Sequence, residues 1–295
     1  MHYWRASLLI LSTILCAATS AQSITVVDDE QRTVTLDGPA QRIISLAPSL
    51  TELLFVAGAG NRIKGVSEYS DHPPQAQGLP VVGRYDLLDM EAIVGYNPDL
   101  IVAWRSGNPQ AAVQRLIDLG FNVYIAEPRT LLSIPDQIEK FATLAGTQET
   151  GQAASQYFRE QLQTLRSRYE NSAKVPVFYQ VWNEPLISVG GDELINDVIE
   201  LCGGRNIFDD LGLAPKVSVE AVLQRDPALI IASGMDIARP EWLDEWRRWP
   251  QLRAVANDAL FFIPPDLIQR HSLRVLSGAL QMCSQIESVR SALPQ

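Results

Sequence analysis

Residues 151–171 read GQAASQYFREQLQTLRSRYEN, and this stretch decides the fold of the chain. Its apolar residues recur at steps of four, four, three and four, at Ala154, Phe158, Leu162, Leu165 and Tyr169. This spacing places them on one face of an α-helix, with charged and amide side chains on the other face. Because neither Gly nor Pro interrupts residues 152–171, the helix extends for about 30 Å.

The predicted helix lies near the middle of a chain of 295 residues. A long helix with a single apolar stripe suits a strut that is laid across two bodies. The alternative is an ordinary surface helix that belongs to one domain. The strut is favoured because an α/β pattern is found on both sides of the helix.

Before the helix, short apolar strands alternate with amphipathic helices. Alternating residues within 22–41 predict an N-terminal hairpin. Ser49 and Glu52 predict a capping box at the start of the first helix. The predicted strands cover residues 42–46, 64–67, 100–103 and 122–126, and the predicted helices cover residues 50–57, 87–96 and 113–119. This alternation is typical of an α/β sheet with parallel strands.

The pattern restarts after the helix, and part of it repeats. The segment MEAIVGYNPDLIVA at 90–103 aligns without a gap with VEAVLQRDPALIIA at 219–232, at a constant offset of 129 residues. Each copy predicts a helix, a break at Asn-Pro or Asp-Pro, and a buried strand. We therefore predict an α/β fold of two Rossmann-like lobes, residues 42–132 and 173–295. A linker region at 133–172, which contains the long helix, joins them.

The first 21 residues have the features of a secretory signal peptide. Arg5 supplies a positive charge, an apolar run follows it, and small residues precede a predicted cleavage site near Ala21. Cys16 raises the alternative of a lipoprotein, although Leu15 stands where lipoprotein signals place a small residue. We expect an exported protein.

The composition argues against several classes of function. The formal net charge is −10 and no run of Lys or Arg is present, so we expect no binding to nucleic acid or to anionic membrane surfaces. The G-x-S-x-G, H-E-x-x-H, P-loop and C-x-x-C motifs are absent, so we predict no catalytic residues and no enzyme activity. Only His72 and His271 follow the leader, which is too few for a metal site.

Two cysteines, Cys202 and Cys283, follow the predicted leader. An even pair in an oxidising compartment indicates one disulfide. It would close a loop of roughly 80 residues, which the loop-entropy model values at about 4.5 kcal/mol. The alternatives are two buried free thiols and, less favoured, a metal-binding pair.

Aromatic and polar residues follow the predicted strands. In lobe 1 they are Tyr69, Tyr85 and Trp104, and in lobe 2 Trp182 follows the first strand. The last strand is followed by Asp266, Leu267, Ile268, Gln269 and Arg270. Ligands of parallel α/β sheets bind at the carboxyl ends of strands, and rigid rings suit a broad, flat, partly apolar ligand. The alternative is that each ring is a core or rim residue.

Three motifs resemble those of a known family. They are SDHPPQAQ at 70–77, AWRSGN at 103–108 and CGGRNIF at 202–208. The chain resembles the cobalamin (vitamin B12)-binding periplasmic proteins of bacterial ABC importers, within the iron-siderophore, haem and B12 binding superfamily. The resemblance implies a class III periplasmic binding protein, located in the periplasm and monomeric when free. It also implies cobalamin as the transported ligand, no cofactor, and a permease dimer with its ATPase subunits as partners.

The resemblance carries roles to particular residues. It implies that Tyr69 contacts the corrin ring, that Trp104 packs on the ligand, and that residues 266–270 form a cobalamin-contacting loop. It implies that Cys202 pairs with Cys283. It also implies that an acidic pair, Glu91 and Glu220, docks on arginines of the permease. Tyr85, Ala214 and Leu267 stand where well-known members place tryptophans, so the preferred corrinoid stays open.

Other functions compete with this hypothesis. A receptor for a ferric siderophore would use arginines, of which Arg105 and Arg270 follow strand ends. A haem receptor would use Tyr69 or His72 as an axial ligand. An exported α/β hydrolase and a metal-ion receptor are further alternatives. A metal-ion receptor needs a cluster of His and carboxylate side chains, which two histidines hardly provide.

Overall fold

The computed structural model describes residues 23–234 and 238–292. The predicted leader, with Arg5, Cys16 and the cleavage site near Ala21, lies outside the described residues. The first element of the described residues is the predicted hairpin, whose antiparallel strands are β1 (Ile24–Val27) and β2 (Thr33–Leu36).

Asp28, at the tip of this hairpin, fastens it to lobe 1. Its buried carboxylate accepts hydrogen bonds from the backbone N–H groups of Arg32, at 2.8 Å, and Ile125, at 3.2 Å. The neighbouring Asp29 accepts from the backbone N–H of Glu127 at 2.7 Å. The hairpin is therefore fixed to the edge of lobe 1 formed by residues 125–127.

Lobe 1 contains short hydrophobic strands and amphipathic helices in alternation. Its strands are β3 (Ile43–Ser45), β4 (Ile63–Val66), β5 (Gly83–Arg84), β6 (Leu87–Leu88), β7 (Leu100–Trp104) and β8 (Val123–Ala126), and its helices are α1 (Pro48–Val56), α2 (Met90–Gly95) and α3 (Gln110–Asp118). Four strands form a parallel sheet in the order β4-β3-β7-β8, and β5 pairs with β6 in a separate hairpin. The strands are buried on both faces, as parallel strands usually are.

Two predictions for lobe 1 are wrong in detail. The predicted capping box is absent, because α1 begins at Pro48 after Ala47 and no side chain caps its start. The predicted helix at 87–96 begins only at Met90, because Asp89 caps it by accepting from the backbone N–H of Ala92 at 2.9 Å. Residues 87–88 are extended instead.

Two helices join the lobes, α4 (Ser133–Ala145) and α5 (Gln148–Tyr169). The strut helix α5 begins three residues earlier than Gly151, which lies inside it and against α4. A Cβ added at Gly151 would collide with Ala142, so glycine permits the close packing of the two helices. The predicted apolar stripe is buried at Phe158, Leu162 and Leu165.

Lobe 2 repeats the architecture of lobe 1. Its strands are β9 (Val175–Trp182), β10 (Ile187–Ser188), β11 (Gly204–Asn206), β12 (Leu229–Ala232) and β13 (Leu260–Phe262), and its helices are α6 (Leu194–Leu201), α7 (Val219–Arg225), α8 (Arg253–Ala256), α9 (Pro265–Ile268) and α10 (Val275–Ala292). The strands β9, β11, β12 and β13 are parallel, and β10 adds an antiparallel edge. The predicted fold of two α/β lobes joined by a long helix is confirmed.

The internal repeat extends to the hydrogen bonds that begin and end its helices. Asp89 caps α2, and Ser218 caps α7 at the same offset, accepting from the backbone N–H of Ala221 at 3.2 Å. Each helix is followed by a residue with a positive φ, 45° at Asn97 and 42° at Asp226. The two copies therefore share one local structure and not only a similar sequence.

The strut contacts both lobes. It packs against α1 and α4 on one side and against α6 and α10 on the other. One continuous buried cluster runs from Leu53 and Phe141, through Phe158 of α5, to Val198 and Ile286 of lobe 2. The lobes thus share a hydrophobic core through the strut.

The predicted disulfide is present between Cys202, at the end of α6, and Cys283 of α10. It ties the first helix of lobe 2 to the C-terminal helix. In the part of the chain that the structure describes, no helix is both long and apolar enough to cross a membrane.

We predict that the strut holds the lobes in one relative position in the free protein. Nitroxide labels at Gln114→Cys in α3 and Gln224→Cys in α7, both exposed, would report the distance between the lobes by pulsed electron paramagnetic resonance. A single narrow distance distribution is expected, because an unbroken helix and a shared core join the lobes. A broad or two-peaked distribution would show that α5 bends.

Candidate functional site

The carboxyl ends of the two parallel sheets approach each other across the boundary between the lobes, which we call the cleft. In lobe 1, Glu52 lies in α1 after β3, and Asp71 follows β4. Arg270, which follows β13, contacts Glu52 and Asp71 of lobe 1, which shows that these two edges face each other. Ligands of open α/β sheets bind at this kind of edge.

Tyr85 and Trp104 form an aromatic pair on the lobe 1 side. Their ring centroids are 6.3 Å apart and the rings are tilted by 47°. The Trp104 ring lies over the backbone of Gly107, where any side chain would collide with the ring. Tyr85 is exposed and Trp104 is half-buried, so the pair presents aromatic surface to solvent.

Tyr69 is exposed and adopts the left-handed backbone conformation, with φ 65°. A bulky residue rarely adopts this conformation, and such strain concentrates at ligand and functional sites. The next residue, Ser70, is buried and its hydroxyl accepts a hydrogen bond from that of Thr51 in α1 at 3.1 Å. The Tyr69 loop is therefore anchored to the start of α1.

The predicted lobe 2 segment divides into residues that face the cleft and residues that do not. The side chain of Ile268 is 0% exposed and packs in the core, so its predicted ligand contact is corrected. Leu267 is half-buried against the same core. Gln269 donates to the carbonyl of Ser233 at 2.9 Å, which ties the segment to the end of β12.

Asp266 and Arg270 belong to a group of charged side chains that crosses the cleft, which we call the inter-lobe clasp. Its members are Glu52 and Asp71 of lobe 1 and Asp266, Arg270 and Arg274 of lobe 2. The Arg270 guanidinium lies 3.0 Å from Glu52, 2.8 Å from Asp71 and 3.0 Å from Asp266. Arg274 lies 3.4 Å from both Glu52 and Asp266.

Glu52 is the most buried member of the clasp, with 3% of its side-chain surface exposed. Besides the two arginines, it accepts a hydrogen bond from the hydroxyl of Ser272 at 2.6 Å. All three partners come from lobe 2. Sequence reasoning missed this role because Glu52 fits a capping box, and no spacing relates it to Arg270, 218 residues away.

The clasp neutralises its own positive charges. Burial alone would lower the pKa of Arg270, but hydrogen bonds to Asp71 and Glu52 outweigh that effect and raise the pKa above its ordinary value. Burial alone would raise the pKa of Asp71, but the hydrogen bond and charge of Arg270 hold it below its usual range. Both side chains are therefore charged at neutral pH. Three carboxylates then face two guanidinium groups.

A second group of ionisable side chains lies near Glu193, at the start of α6. Burial, reinforced by the charge of Glu127 in lobe 1, raises the pKa of Glu193. Burial lowers the pKa of His271 to about 4, so the ring is neutral at pH 7. His271 lies 4.0 Å from Glu193, but the two side chains do not form an ion pair at that pH because the ring is neutral. Among the described residues, no group of three or more His, Cys, Asp or Glu side chains is arranged to hold a metal ion.

Two further residues that the sequence singles out, Trp182 and Ala214, lie in lobe 2. Trp182 is exposed at the end of β9, and its indole N–H donates to the carbonyl of Glu184 at 3.0 Å. Ala214 is exposed in the loop before α7.

Glu91 and Glu220 are exposed in the first turns of α2 and α7. Each helix connects parallel strands of its lobe, so its start belongs at the end of the sheet where the strands have their carboxyl ends. Hydrogen bonds to its own backbone N–H and to Ser218 lower the pKa of Glu220, which is charged at neutral pH.

Two cavities adjoin these groups. One, of about 360 Å³, lies behind the Trp104 loop and is lined by lobe 1 residues such as Glu30, Arg105 and Gln114, so it is not part of the cleft. The other, of about 540 Å³, lies beside the clasp and is lined by Phe55 and Pro73 of lobe 1 and by Leu273 of lobe 2, among others.

Comparison with known proteins gives consistent relatives. The family model described as periplasmic binding protein matches residues 43–267. The chain is 39% identical to the vitamin B12-binding protein of Vibrio cholerae over 251 residues, which cover 84% of this chain and 90% of that protein. It is 36% identical to the vitamin B12-binding protein of Yersinia pestis over 255 residues, covering 85% and 88% of the two chains.

Solved structures agree with these relatives. The crystal structure of the periplasmic vitamin B12 binding protein BtuF of Vibrio cholerae is similar with a TM-score of 0.78 and 37% identity, covering 85% of this chain and 98% of that one. A periplasmic heme binding protein from Pseudomonas aeruginosa has a TM-score of 0.74 at 20% identity, covering 84% and 92%. At that identity the similarity shows the fold alone.

We predict that Glu52→Gln destabilises the protein and loosens the lobes. Removing one partner of a buried ion pair costs about 3 kcal/mol. In Glu52→Gln, Arg270 keeps Asp71 and Asp266, and Arg274 keeps Asp266, but both arginines lose the carboxylate that is buried between them. Denaturant unfolding measures the loss, and the label pair at residues 114 and 224 measures the spread of inter-lobe distances. Glu160→Gln, at an exposed position of α5, is the matched control. If both variants unfold at the same denaturant concentration, the clasp does not hold the lobes.

Proposed function

Because the chain belongs to the periplasmic binding protein family, we propose that it captures cobalamin in the cleft between its lobes and delivers it to an ABC importer. The observation that carries this proposal is the 39% identity to a vitamin B12-binding protein over 84% of this chain. Capture and release require no chemical step, so the protein acts as a transport receptor and not as an enzyme. Cobalamin is its cargo and not a cofactor.

The aromatic pair supports a broad, flat ligand. Tyr85 and Trp104 offer adjacent ring surfaces at the carboxyl edge of lobe 1, and the exposed Tyr69 lies in the loop that Arg270 reaches through Asp71. Rigid rings contribute large contact areas with little loss of side-chain freedom. Asp266, Gln269 and Arg270 approach from lobe 2 and supply polar groups. The cleft therefore combines apolar and polar contacts, as ligand sites usually do.

The charge of the clasp favours cobalamin over the alternatives within the superfamily. Ferric catecholate siderophores and haem propionates carry negative charge and need cations that are free to bind them. Arg270 already lies against three carboxylates, and the clasp as a whole is acidic. Cobalamin carries neutral amide groups around its corrin ring, and these need hydrogen-bond partners instead of surplus cations.

We place the protein in the periplasm, as a monomer when free. The relatives are periplasmic binding proteins, and the first 21 residues have the features of a signal peptide with cleavage near Ala21. Its partner in delivery is a homodimeric permease with its ATPase subunits.

Glu91 and Glu220 form the proposed docking site for that permease. They occupy the same position of the internal repeat and lie in the first turns of α2 and α7. An approximate twofold axis would relate the two similar lobes, and a homodimeric permease also has a twofold axis. The glutamate of each lobe could then meet an arginine of one permease subunit. Charge-assisted hydrogen bonds of this kind are strong and directional. The alternative role is to complement the dipoles of the two helices.

The direct test of ligand binding is the absorption spectrum of purified protein after mixing with cyanocobalamin and removal of free ligand. We expect retained corrin bands, and we expect Trp104→Ala to weaken binding roughly ten- to a hundred-fold, because stacking on an aromatic ring contributes about 1–3 kcal/mol. Trp249→Ala, in lobe 2 and away from the cleft, is the matched control. Retention of haem but not of corrin would refute cobalamin as the cargo. Equal affinities of the two variants would remove Trp104 from the site.

The docking proposal predicts that Glu91→Ala combined with Glu220→Ala abolishes stable binding to the permease. Loss of one partner of a desolvated pair commonly costs about 2–5 kcal/mol. Cobalamin affinity should be unchanged, because neither glutamate belongs to the aromatic pair or to the segment 266–270. Exposed Glu149 and Glu160 of the strut, changed together to Ala, serve as the control. Wild-type affinity of the Glu91 and Glu220 double variant for the permease in detergent would leave only the helix-dipole role.

A further inference from the structure

Asn108 ends the AWRSGN motif and is buried, with 5% of its surface exposed. A buried amide is expensive unless its hydrogen-bonding groups are satisfied. Its side-chain oxygen accepts from the backbone N–H of Trp104 at 2.7 Å. Its side-chain nitrogen donates to the carbonyl of Leu46 at 2.9 Å and to that of Tyr85 at 2.7 Å. All three groups of this side chain are therefore used on backbone atoms of three separate segments.

The contact with Trp104 is reciprocal. The backbone N–H of Asn108 donates to the carbonyl of Trp104 at 2.9 Å, while its side chain accepts from the Trp104 N–H. These two bonds close a tight loop in which the Trp104 ring lies over Gly107. The carboxylate of Glu127 accepts from the backbone N–H of Ser106 at 3.0 Å and supports the same loop. The loop has little freedom to move relative to β7.

The contact with Tyr85 joins a different part of lobe 1. Tyr85 lies in the turn between β5 and β6, 23 residues before Asn108. Leu46 follows β3, which is the strand next to β7 in the sheet. One amide therefore links the β5–β6 turn to the ends of two neighbouring strands. The two linked segments meet in the aromatic pair, to which each contributes one ring.

We propose that Asn108 is a positioning residue that holds Tyr85 and Trp104 together as one preformed platform for the ligand. The proposal rests on the proposed function for the identity of the ligand but not for the positioning itself. Asparagine is the suitable residue because one short side chain must supply an acceptor and two donors. A carboxylate would turn an oxygen toward the carbonyls of Leu46 and Tyr85, and an apolar side chain would leave all three backbone groups unpaired.

A preformed platform lowers the cost of binding. Without Asn108, two aromatic side chains and their loops must be ordered when the ligand binds, which reduces affinity without removing a ligand contact. We expect Asn108→Ala to weaken cobalamin binding about tenfold on this basis. The affinity is lost because the loops must be ordered on binding, so bound cobalamin should still hold the Trp104 loop in its ordered conformation.

The matched control is Asn206→Ala in lobe 2. Asn206 is equally buried, with 1% of its surface exposed. Its amide donates to the carbonyl of Val189 at 2.9 Å and accepts from the backbone N–H of Phe208 at 3.0 Å. Its loss should lower stability in the same manner but leave the aromatic pair undisturbed.

The first measurement uses the ligand-free protein. Fluorine NMR of protein labelled with 5-fluorotryptophan reports the mobility of Trp104, whose resonance is assigned by Trp104→Phe. We expect Asn108→Ala to shift this resonance and to change its line width, because the Trp104 ring gains mobility. Asn206→Ala should leave the resonance unchanged. An unchanged Trp104 resonance in Asn108→Ala would overturn the proposal, whether or not the protein binds cobalamin.

The second measurement is the affinity for cyanocobalamin by calorimetry. Asn108→Ala should bind about tenfold more weakly than Asn206→Ala.

Asn108→Asp keeps the shape of the side chain, and a buried carboxyl has a raised pKa. Its affinity relative to wild type should therefore improve on acidification from pH 8 to pH 5, as the protonated carboxyl regains one donor. Equal affinities of the alanine variants, or no relative recovery of Asn108→Asp, would contradict the proposal. Failure of the wild-type protein to bind cobalamin would refute the proposed function. The fluorine measurement on the ligand-free protein would still test the positioning role of Asn108.

Discussion

The buried carboxylate of Glu52 is the constraint on which the cleft depends. A charge with 3% of its side chain exposed must be met by cations and hydrogen-bond donors, and Arg270, Ser272 and Arg274 of the opposite lobe supply them. Lobe 1 alone would leave this carboxylate without those partners. On the strut side, Asp197 of α6 accepts from the backbone N–H of Leu131 at 3.1 Å. The lobes are thus fastened both across the cleft and beside the strut.

This fastening suits a receptor that holds its ligand between two bodies of fixed separation. The charges of the cleft are paired with each other, which leaves little free positive charge for an anionic ligand. Tyr85 and Trp104 are held at the sheet edge by backbone contacts and need no rearrangement to present their rings. Under the proposed function, specificity would come from this preformed apolar surface and the polar groups beside it, without closure of a hinge.

The sequence predicted the features that depend on local hydrogen bonding and periodicity. The strut helix, the N-terminal hairpin and both copies of the repeat follow from spacing within short segments, and the family resemblance was confirmed by relatives of high coverage. The role of Glu52 could not be predicted, because its partners lie more than 200 residues away. The prediction for Ile268 was wrong because the segment after β13 forms a one-turn helix. This helix turns some side chains toward the cleft and turns Ile268 into the core, which the sequence alone does not reveal. The strut begins before Gly151 because packing against Ala142 outweighs the helix-weakening effect of glycine.

We propose that cobalamin lies in the inter-lobe cleft, between the aromatic pair of lobe 1 and the Asp266–Arg270 segment of lobe 2. A crystal structure of the protein grown with cyanocobalamin tests this placement. We expect corrin density against Trp104 and Tyr85, with Asp266 or Arg270 in contact with the ligand from the other side and the lobes in the arrangement described above. Density for the corrin outside the cleft, or lobes that have rotated around a bent α5, would contradict it.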